Sequence, residues 1–175
     1  MKVTDKVLTH FLAGDMQAFQ QIYESTKSFV YNTVYKMVLN KQESEDLMHD
    51  VYVKVYEKRS TYNKEYSINT WINRIAVNHV INHLNRQNNF IKKMQDISFF
   101  YKQHSVEVKE QEDTALKLLE GLDAKYRIPI VLKDIQELSY EEVAQTMNLP
   151  IGTIRSRLNR GRKQLRKLYE QEVLK

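Results

Sequence analysis

The chain has no cysteine, only four glycines and two prolines among its 175 residues, and no long unbroken apolar run. Without cysteine it can hold no disulfide, no thiol redox sensor and no thiolate metal site. So little glycine and proline excludes a loop-rich chain. With Leu, Lys, Glu and Gln abundant, it points to an all-α protein with short connections. No segment reaches the roughly 20 apolar residues of a membrane-spanning helix. The opening MKVTDKVLTHFLAGD also lacks the apolar centre of a signal peptide. The expectation is a cytoplasmic protein that inserts nothing of its own into a membrane. At 42% hydrophobic, the composition supplies a packed core for one domain or two small ones.

What the chain has in excess is positive charge, +5 net, and that charge is unevenly spread. Residues 1–60 carry eight basic and eight acidic side chains, and residues 61–105 carry six and two. Residues 106–150 carry five and ten, and residues 151–175 carry eight and two. Two basic segments separated by an acidic one suit two separate contacts with a polyanion, held by segments that meet something else.

The most structured signal lies in Glu137 to Lys167, ELSYEEVAQTMNLPIGTIRSRLNRGRKQLRK. Ser139 with Glu142 three residues on is a capping box, and Val143, Ala144 and Met147 recur at helical spacing, so a helix is predicted from Tyr140 to Met147. Asn148 and Leu149 end it, and Pro150 suits the first turn of the next helix. Ile151, Ile154, Leu158, Leu165 and Leu168 form one apolar stripe on that second helix. Between Arg155 and Lys167 stand seven basic residues and no acidic one. Two short helices and a tight turn, the second helix basic, describe a helix-turn-helix. In that motif Thr153, Arg155, Ser156 and Arg157 are placed for base edges, and an arginine can grip guanine with two parallel hydrogen bonds. Arg160, Arg162 and Lys163 lie where the helix leaves the groove and are expected on phosphates. The competing reading is a solvated basic helix, against which the capped helix and proline turn weigh.

Upstream, residues 4–13 show a short amphipathic helix broken at Gly14-Asp15, followed by a long helix from Met16 to Leu39. A third helix covers KQESEDLMHDVYVKVYEK. Leu47, Met48, Val51, Tyr52 and Val55 point inward there, and Glu43, Asp46, Asp50, Lys54 and Glu57 outward. An acidic face on a nucleic-acid-binding chain would repel phosphate, so it suits a basic protein surface or, alternatively, plain solvent. Residues 60–69 have loop composition, and a helix is predicted from Thr70 to Arg86. Trp71, Ile72, Ile75, Ala76, Val80 and Leu84 supply its buried stripe. Asn73, Arg74, Asn78, His79, Asn82, His83, Asn85 and Arg86 are left outside, a carboxylate-free face suited to nucleic acid. His79 and His83, one turn apart, have metal-binding spacing. Val80 stands where a metalloprotease glutamate would be, however, and His10, His49 and His104 sit in other elements, so no metal or cofactor is expected. Gln87 to Glu110 has no steady period yet holds Phe90, Ile97, Phe99, Phe100 and Tyr101, and is read as an interdomain segment. Helices resume from Gln111 and from Tyr126 to Gln136.

Taken together, these blocks resemble the extracytoplasmic-function (ECF) sigma factors, small promoter-recognition subunits of bacterial RNA polymerase. ESEDLMHDVYVKVYEK resembles the polymerase-binding helix and NTWINRIAVNHVINHL the minus-ten reading and melting helix. LDAKYRIPIVLKDIQELSYEEVAQTMNLPIGTIRSRLNRGRKQLRKL resembles the minus-thirty-five reading domain. The resemblance implies two helical domains, residues 1–88 and 111–175, joined by a linker at 89–110. It implies that Asp46, Leu47, Asp50, Val51 and Lys54 meet the clamp helices of the polymerase's largest subunit. It places Tyr66, Ser67 and Asn69 in the loop that holds a flipped minus-ten base, on a helix carrying Trp71, Arg74, Asn78, Asn82 and Arg86. Partners implied are core RNA polymerase, promoter DNA and a separate anti-sigma factor, with no catalysis by the chain itself and no regulation by an appended carboxy-terminal domain. His49 stands where the family usually has Gln, which implies a mild pH dependence of docking, and Tyr52 stands where it usually has Phe. The loop TYNKEYSIN differs from commoner members. The alternative is a free-standing helix-turn-helix regulator whose amino-terminal domain senses a ligand or dimerises. A metal-dependent enzyme is the more distant one.

Overall fold

A computed structural model describes the backbone of residues 3–95 and 114–173, and side chains within 3–87 and 115–172. Among the described residues every regular element is helical. The chain divides into two compact units, Met1–Asn82 and His83–Lys175.

The amino-terminal unit is built on α1 (Asp5–Leu12), α2 (Met16–Val38), α3 (Lys41–Glu57) and the start of α4 (Ile68–Gln95). Each start is fixed by a side chain that accepts an otherwise orphaned amide hydrogen. Thr4 accepts from Val7 N at 3.4 Å, Asp15 from Ala18 N at 2.8 Å, Asn40 from Glu43 N at 3.0 Å and Ser67 from Thr70 N at 3.1 Å. Gly14, at φ 92°, makes the turn between α1 and α2 that a side chain would strain. A short 3-10 turn, Arg59–Thr61, closes α3.

The core of this unit joins Phe11, Ile22, Val30, Val34 and Met37 to Leu47, Val51 and Val55 of α3 and to Ile72, Ala76, Val77 and Val80 of α4. Tyr52 belongs to it as well. Its hydroxyl is 2.7 Å from that of Thr26, itself buried and bonded to the Ile22 carbonyl at 2.7 Å. This pairing explains how a phenol is tolerated at a position where the family resemblance implies Phe: the extra oxygen has a partner.

Two sequence expectations shift here. Asn73, expected outside, is 7% exposed, because α4 is buried over a broad face that includes Val77 and Ile81 beside Ile72 and Val80. The helix also runs to Gln95 instead of ending at Arg86. Nothing in NRQNNFIKKMQ breaks a helix, and a continuing backbone ladder needs no apolar period. Ile97, Phe99, Phe100, Tyr101, His104 and the expected helix start at Gln111 lie outside the described residues, as does the Phe90 side chain.

The carboxy-terminal unit holds α5 (Thr114–Glu120), α6 (Ala124–Ile130), α7 (Tyr140–Met147) and α8 (Ile151–Val173). The helix expected over Tyr126–Gln136 changes type: after α6, residues Val131–Ile135 widen into a π turn. Pro129, within α6, cannot donate to the i−4 carbonyl, and the ladder after it is re-registered so that Gln136 N reaches Val131 O at 3.0 Å. Leu119, Leu122, Ile128, Ile130, Val131, Leu132, Val143, Ile154 and Leu158 form the core. Gly161 lets α8 approach α6, since a Cβ there would lie 2.7 Å from Ile130 Cδ1. Arg127 is only 9% exposed and donates to the Leu122 carbonyl at 2.9 Å. Burial lowers its pKa, opposed by the nearby Asp123 and Glu120 carboxylates.

Burial, partly offset by the Thr26 hydrogen bond, pushes the Tyr52 phenol up to about 12 from 10.0. The folded chain thus keeps a proton that the unfolded chain releases, so this stability is complete below about pH 10 and lost as pH rises through about 12. Tyr52→Phe should cost about 1 kcal/mol near neutrality for the lost hydrogen bond. It should also weaken the decline in stability across that alkaline window. Denaturant unfolding of both forms at neutral and alkaline pH checks this, and an equal decline in the two would contradict it.

Candidate nucleic-acid interface

Three surfaces carry the candidate residues. The first is the outer side of α3. Asp46, His49 and Asp50 are exposed there, together with Val53 and Glu57. Leu47 and Val51, expected to touch a partner, are 3% and 0% exposed. They lie one turn apart on the inward side of α3, so they shape this surface from beneath and do not reach it. A groove of about 700 Å³ beside it, between α2 and α3, is lined by Tyr31, Glu45, Met48 and His49 among others. Burial and the Glu45 carboxylate raise the Tyr31 pKa.

The second surface is a cleft of about 310 Å³ between the end of α3 and α4. Trp71, Arg74, Asn78 and Asn82 line one wall, Lys54, Lys58 and Thr61 the other, and no carboxylate lines it. Lys54 therefore faces this cleft and does not extend the acidic face. His79 also lines the cleft and holds Asp50 at 3.4 Å, with Asp50 itself 66% exposed. His83 instead meets Gln87 at 2.9 Å, so the two histidines engage different neighbours.

The loop before α4 is braced from within. The Tyr62 hydroxyl donates to Tyr66 O at 2.7 Å, and Glu65 N donates to Asn63 Oδ1 at 3.0 Å in an Asx turn. Ser67 is occupied as the cap of α4, while Asn69 is exposed. Tyr66 is 44% exposed and lies 4.5 Å from the Arg74 guanidinium, a cation–π pair. Trp71 is half-buried between Phe11 and Tyr62, at 6.5 Å and 5.5 Å, which gives it a structural use as well as one edge in the cleft. Arg86 is exposed farther along α4.

The third surface is the amino-terminal half of α8. The capping box is complete: Glu142 N donates to Ser139 Oγ at 3.1 Å and Ser139 N to Glu142 Oε2 at 2.9 Å. Asn148 ends α7 in the left-handed conformation, φ 51°, which asparagine tolerates better than most residues. The chain then turns through Pro150 into α8. Ile154 and Leu158 are buried, and Ile151, Leu165 and Leu168 are half-buried along the expected stripe. Thr153, Ser156, Arg157 and Arg160 line a cleft of about 470 Å³ with Gly152, Lys125 and Tyr126. Arg155 and Lys163 are exposed.

Arg162, expected on phosphate, is instead engaged by Asp134. Its Nε and Nη2 donate to the two carboxylate oxygens at 3.0 Å and 2.6 Å. Asp134 raises the pKa of this guanidinium, burial opposing and Tyr140 adding to the rise. Two basic residues that sequence reading did not single out also line these clefts, Lys58 and Lys125. Lys125 pairs with Asp123 at 2.8 Å and holds that carboxyl below its usual range. Each lies in a segment of mixed charge, so only the fold collects it with the others.

Residues 22–90 match the family model of Sigma-70 region 2, and residues 113–165 that of Sigma-70, region 4. The ECF RNA polymerase sigma factor SigW of Bacillus subtilis is 30% identical over 168 residues, covering 88% of this chain and 90% of that one. The chain belongs to the ECF sigma factors. Another relative, the ECF RNA polymerase sigma-E factor of Escherichia coli, is 27% identical and 92% of each chain is covered. Two solved structures share the fold. The sigma factor RpoE of Bartonella quintana, in complex with the anti-sigma factor NepR, has a TM-score of 0.66 at 20% identity, with 89% of this chain and 98% of that one covered. CnrH in complex with the cytosolic domain of CnrY has a TM-score of 0.61 at 17% identity, with 97% and 99% covered. Membership of both regions in an ECF sigma factor sets aside the free-standing regulator. Sigma factors serve initiation and are not enzymes, so neither histidine pair nor carboxylate needs a catalytic role. No described helix is long and apolar enough to cross a membrane.

Ser139→Ala should cost about 1 kcal/mol by opening the capping box. It should lower the thermal midpoint of the carboxy-terminal unit by several degrees, roughly 4–8 °C for a domain of this size. Calorimetry of the full chain reads this directly, and a scan in which no transition moves would mean the box carries no stability.

Proposed function

We propose that this sigma factor divides its work among the three surfaces. The acidic outer face of α3, with Asp46 and Asp50, docks the clamp helices of the polymerase's largest subunit, over the buried Leu47 and Val51. The cleft between α3 and α4 takes the opened minus-ten strand, and the amino-terminal half of α8 enters the major groove of the minus-thirty-five element. The observation that carries this reading is the cleft itself, lined by Lys54, Lys58, Arg74, Asn78 and Asn82 and by no carboxylate, while Asp46 is exposed on the outer side of α3 and Asp50 stands at the cleft's edge beside His79.

For the minus-ten element, Arg74, Asn78 and Asn82 supply donors and acceptors beside Trp71, and the loop of Tyr66, Ser67 and Asn69 receives the flipped base. Flipping a base costs a few kcal/mol, so a loop braced beforehand favours the open state by avoiding a further ordering cost. Lys54 and Lys58, on the opposite wall, meet the strand's phosphates, with Arg86 farther along. For the minus-thirty-five element, Thr153, Arg155, Ser156 and Arg157 face bases while Arg160, Lys163 and Lys125 face phosphates. The domains run from 1 to 88 and from 111 to 175, with residues 89–110 as linker. The protein works in the cytoplasm, and a separate anti-sigma factor inhibits it, as NepR binds the RpoE of Bartonella quintana.

Replacing Arg155 and Arg157 with Ala should weaken minus-thirty-five recognition roughly tenfold or more, since a bidentate arginine–guanine pair is worth about 1–3 kcal/mol. Co-elution with core polymerase should be unchanged. Asp46→Lys with Asp50→Lys should do the reverse, abolishing co-elution while circular dichroism stays the same. Loss of both functions in either variant would contradict the division. Separately, Lys58→Ala in the reconstituted holoenzyme should reduce the salt dependence of binding to a pre-opened promoter by about 0.7 in logarithmic slope, one single-strand phosphate contact. An unchanged slope would remove Lys58 from the cleft's function.

A further inference from the structure

Gly152, in the first turn of α8, is a glycine that the fold itself does not require. Its backbone is helical, and its φ is not positive, unlike that of Gly14. A Cβ at Gly152 would meet nothing within 4 Å. By contrast, a Cβ at Gly121 would lie 2.7 Å from Leu168 Cδ1, and one at Gly161 2.7 Å from Ile130 Cδ1. Glycine in a helix is less stable than alanine because it has more backbone freedom to lose on folding. Gly152 therefore weakens the start of α8 and gains no packing inside the chain in return.

Its surroundings supply a reason outside the chain. Gly152 lines the cleft of about 470 Å³ between α6 and α8, with Lys125 on the α6 wall and Ser156, Arg157 and Arg160 on the α8 wall. No carboxylate lines this cleft. Gly152, Ser156 and Arg160 follow one another at four-residue steps, so they stand in one row on the same face of α8. All three are exposed. The row is cationic at Arg160 and bare main chain at Gly152.

We propose that this cleft takes one strand of the minus-thirty-five duplex by its sugar–phosphate backbone, and that Gly152 is the point of closest approach. There the strand packs directly on the main chain of α8, with no side chain between. A Cβ at this position fits the free protein and obstructs the complex. Contacts to the strand's backbone set the register of a helix in the groove and carry no sequence information. The role of Gly152 is accordingly one of fit, separate from the choice of base. The inference rests on the reading of α8 as the helix that enters the major groove.

The test uses the full chain assembled with core polymerase and a library of promoter duplexes randomised across the minus-thirty-five element. Affinity is followed against salt, base preference is read by sequencing the bound fraction, and thermal unfolding is recorded on the free chain. Gly152→Ala should raise the thermal midpoint of the carboxy-terminal unit by roughly 2–6 °C, since a helical backbone suits alanine and the new methyl meets nothing. The same variant should bind promoters about fivefold more weakly or worse, the smallest effect expected of a methyl forced into a space already filled. That loss should be equal for all sequences in the library. Lys125→Ala should reduce the logarithmic salt slope by about 0.9, one duplex phosphate.

Unchanged affinity of Gly152→Ala would overturn the proposal. So would a lowered thermal midpoint, which would make the glycine a requirement of the fold. Loss confined to one base position would also overturn it, by placing a base edge against Gly152 in place of the strand's backbone. An unchanged salt slope with Lys125→Ala would leave the cleft without its strand. If Arg155 and Arg157 replaced by Ala left every base preference intact, the groove reading itself would fail, a result distinct from the others.

Discussion

Opposite charges on one small chain must be kept apart, and most of the functional surface follows from that constraint. A sigma factor needs a face that avoids phosphate and faces that attract it. In the amino-terminal unit α3 carries both: Asp46 and His49 are exposed on its outer side, Lys54 and Lys58 line the cleft, and Asp50 stands at the border, 3.4 Å from His79 of the cleft wall. At physiological salt the screening length is about 8 Å. Asp50, in contact with His79 of the cleft wall, lies within that length of the cleft, and its pairing with His79 offsets its charge there when the imidazole is protonated. The helix orients the charges on its surface because its apolar positions are spent on the stripe that seats it. Leu47, Val51 and Val55 are those positions, and their complete burial sets which way Asp46 and Asp50 must face.

The same constraint explains why several charges are paired within the fold. Asp134 would stand close to the proposed DNA face as an unpaired anion, and Arg162 removes it. Asp123, near the cleft at the start of α8, is matched by Lys125. Exposed pairs of this kind add little stability, about 0–1 kcal/mol. Their consequence lies in the local potential that an approaching phosphate meets, and in the orientation of the side chains that stay free.

Much of this could be read from local sequence. The capping box at Ser139, the turn at Asn148 and the stripe through Ile154 and Leu158 are short-range patterns with direct physical causes, and the helix-turn-helix follows from them. The alternation of Leu47, Val51 and Val55 with Asp46 and Asp50 told inside from outside on α3. It also conflicted with placing Leu47 and Val51 on a docking surface, and the geometry resolves that conflict in favour of periodicity. What stayed hidden was long-range. Nothing near Arg162 in sequence marks its partner 28 residues earlier. Lys54 and Lys58 are collected with Arg74 only once α3 packs on α4. Asn73 was misplaced because a polar residue inside a broad buried face breaks a simple stripe, although Val77, one turn on, and Ile81, two turns on, mark that side as buried. The π turn follows from a single proline, Pro129, whose effect on a short helix depends on the packing around it.

The central claim is that one chain joins polymerase through one surface and finds promoters through two others. The most direct measurement is chromatography of the purified chain with core RNA polymerase from its own host, followed by transcription of genomic DNA with mapping of the start sites. A stable complex that initiates at discrete sites sharing two spaced elements is the predicted result. A folded, inhibitor-free chain that forms no complex, or a complex that initiates without positional preference, would contradict the account.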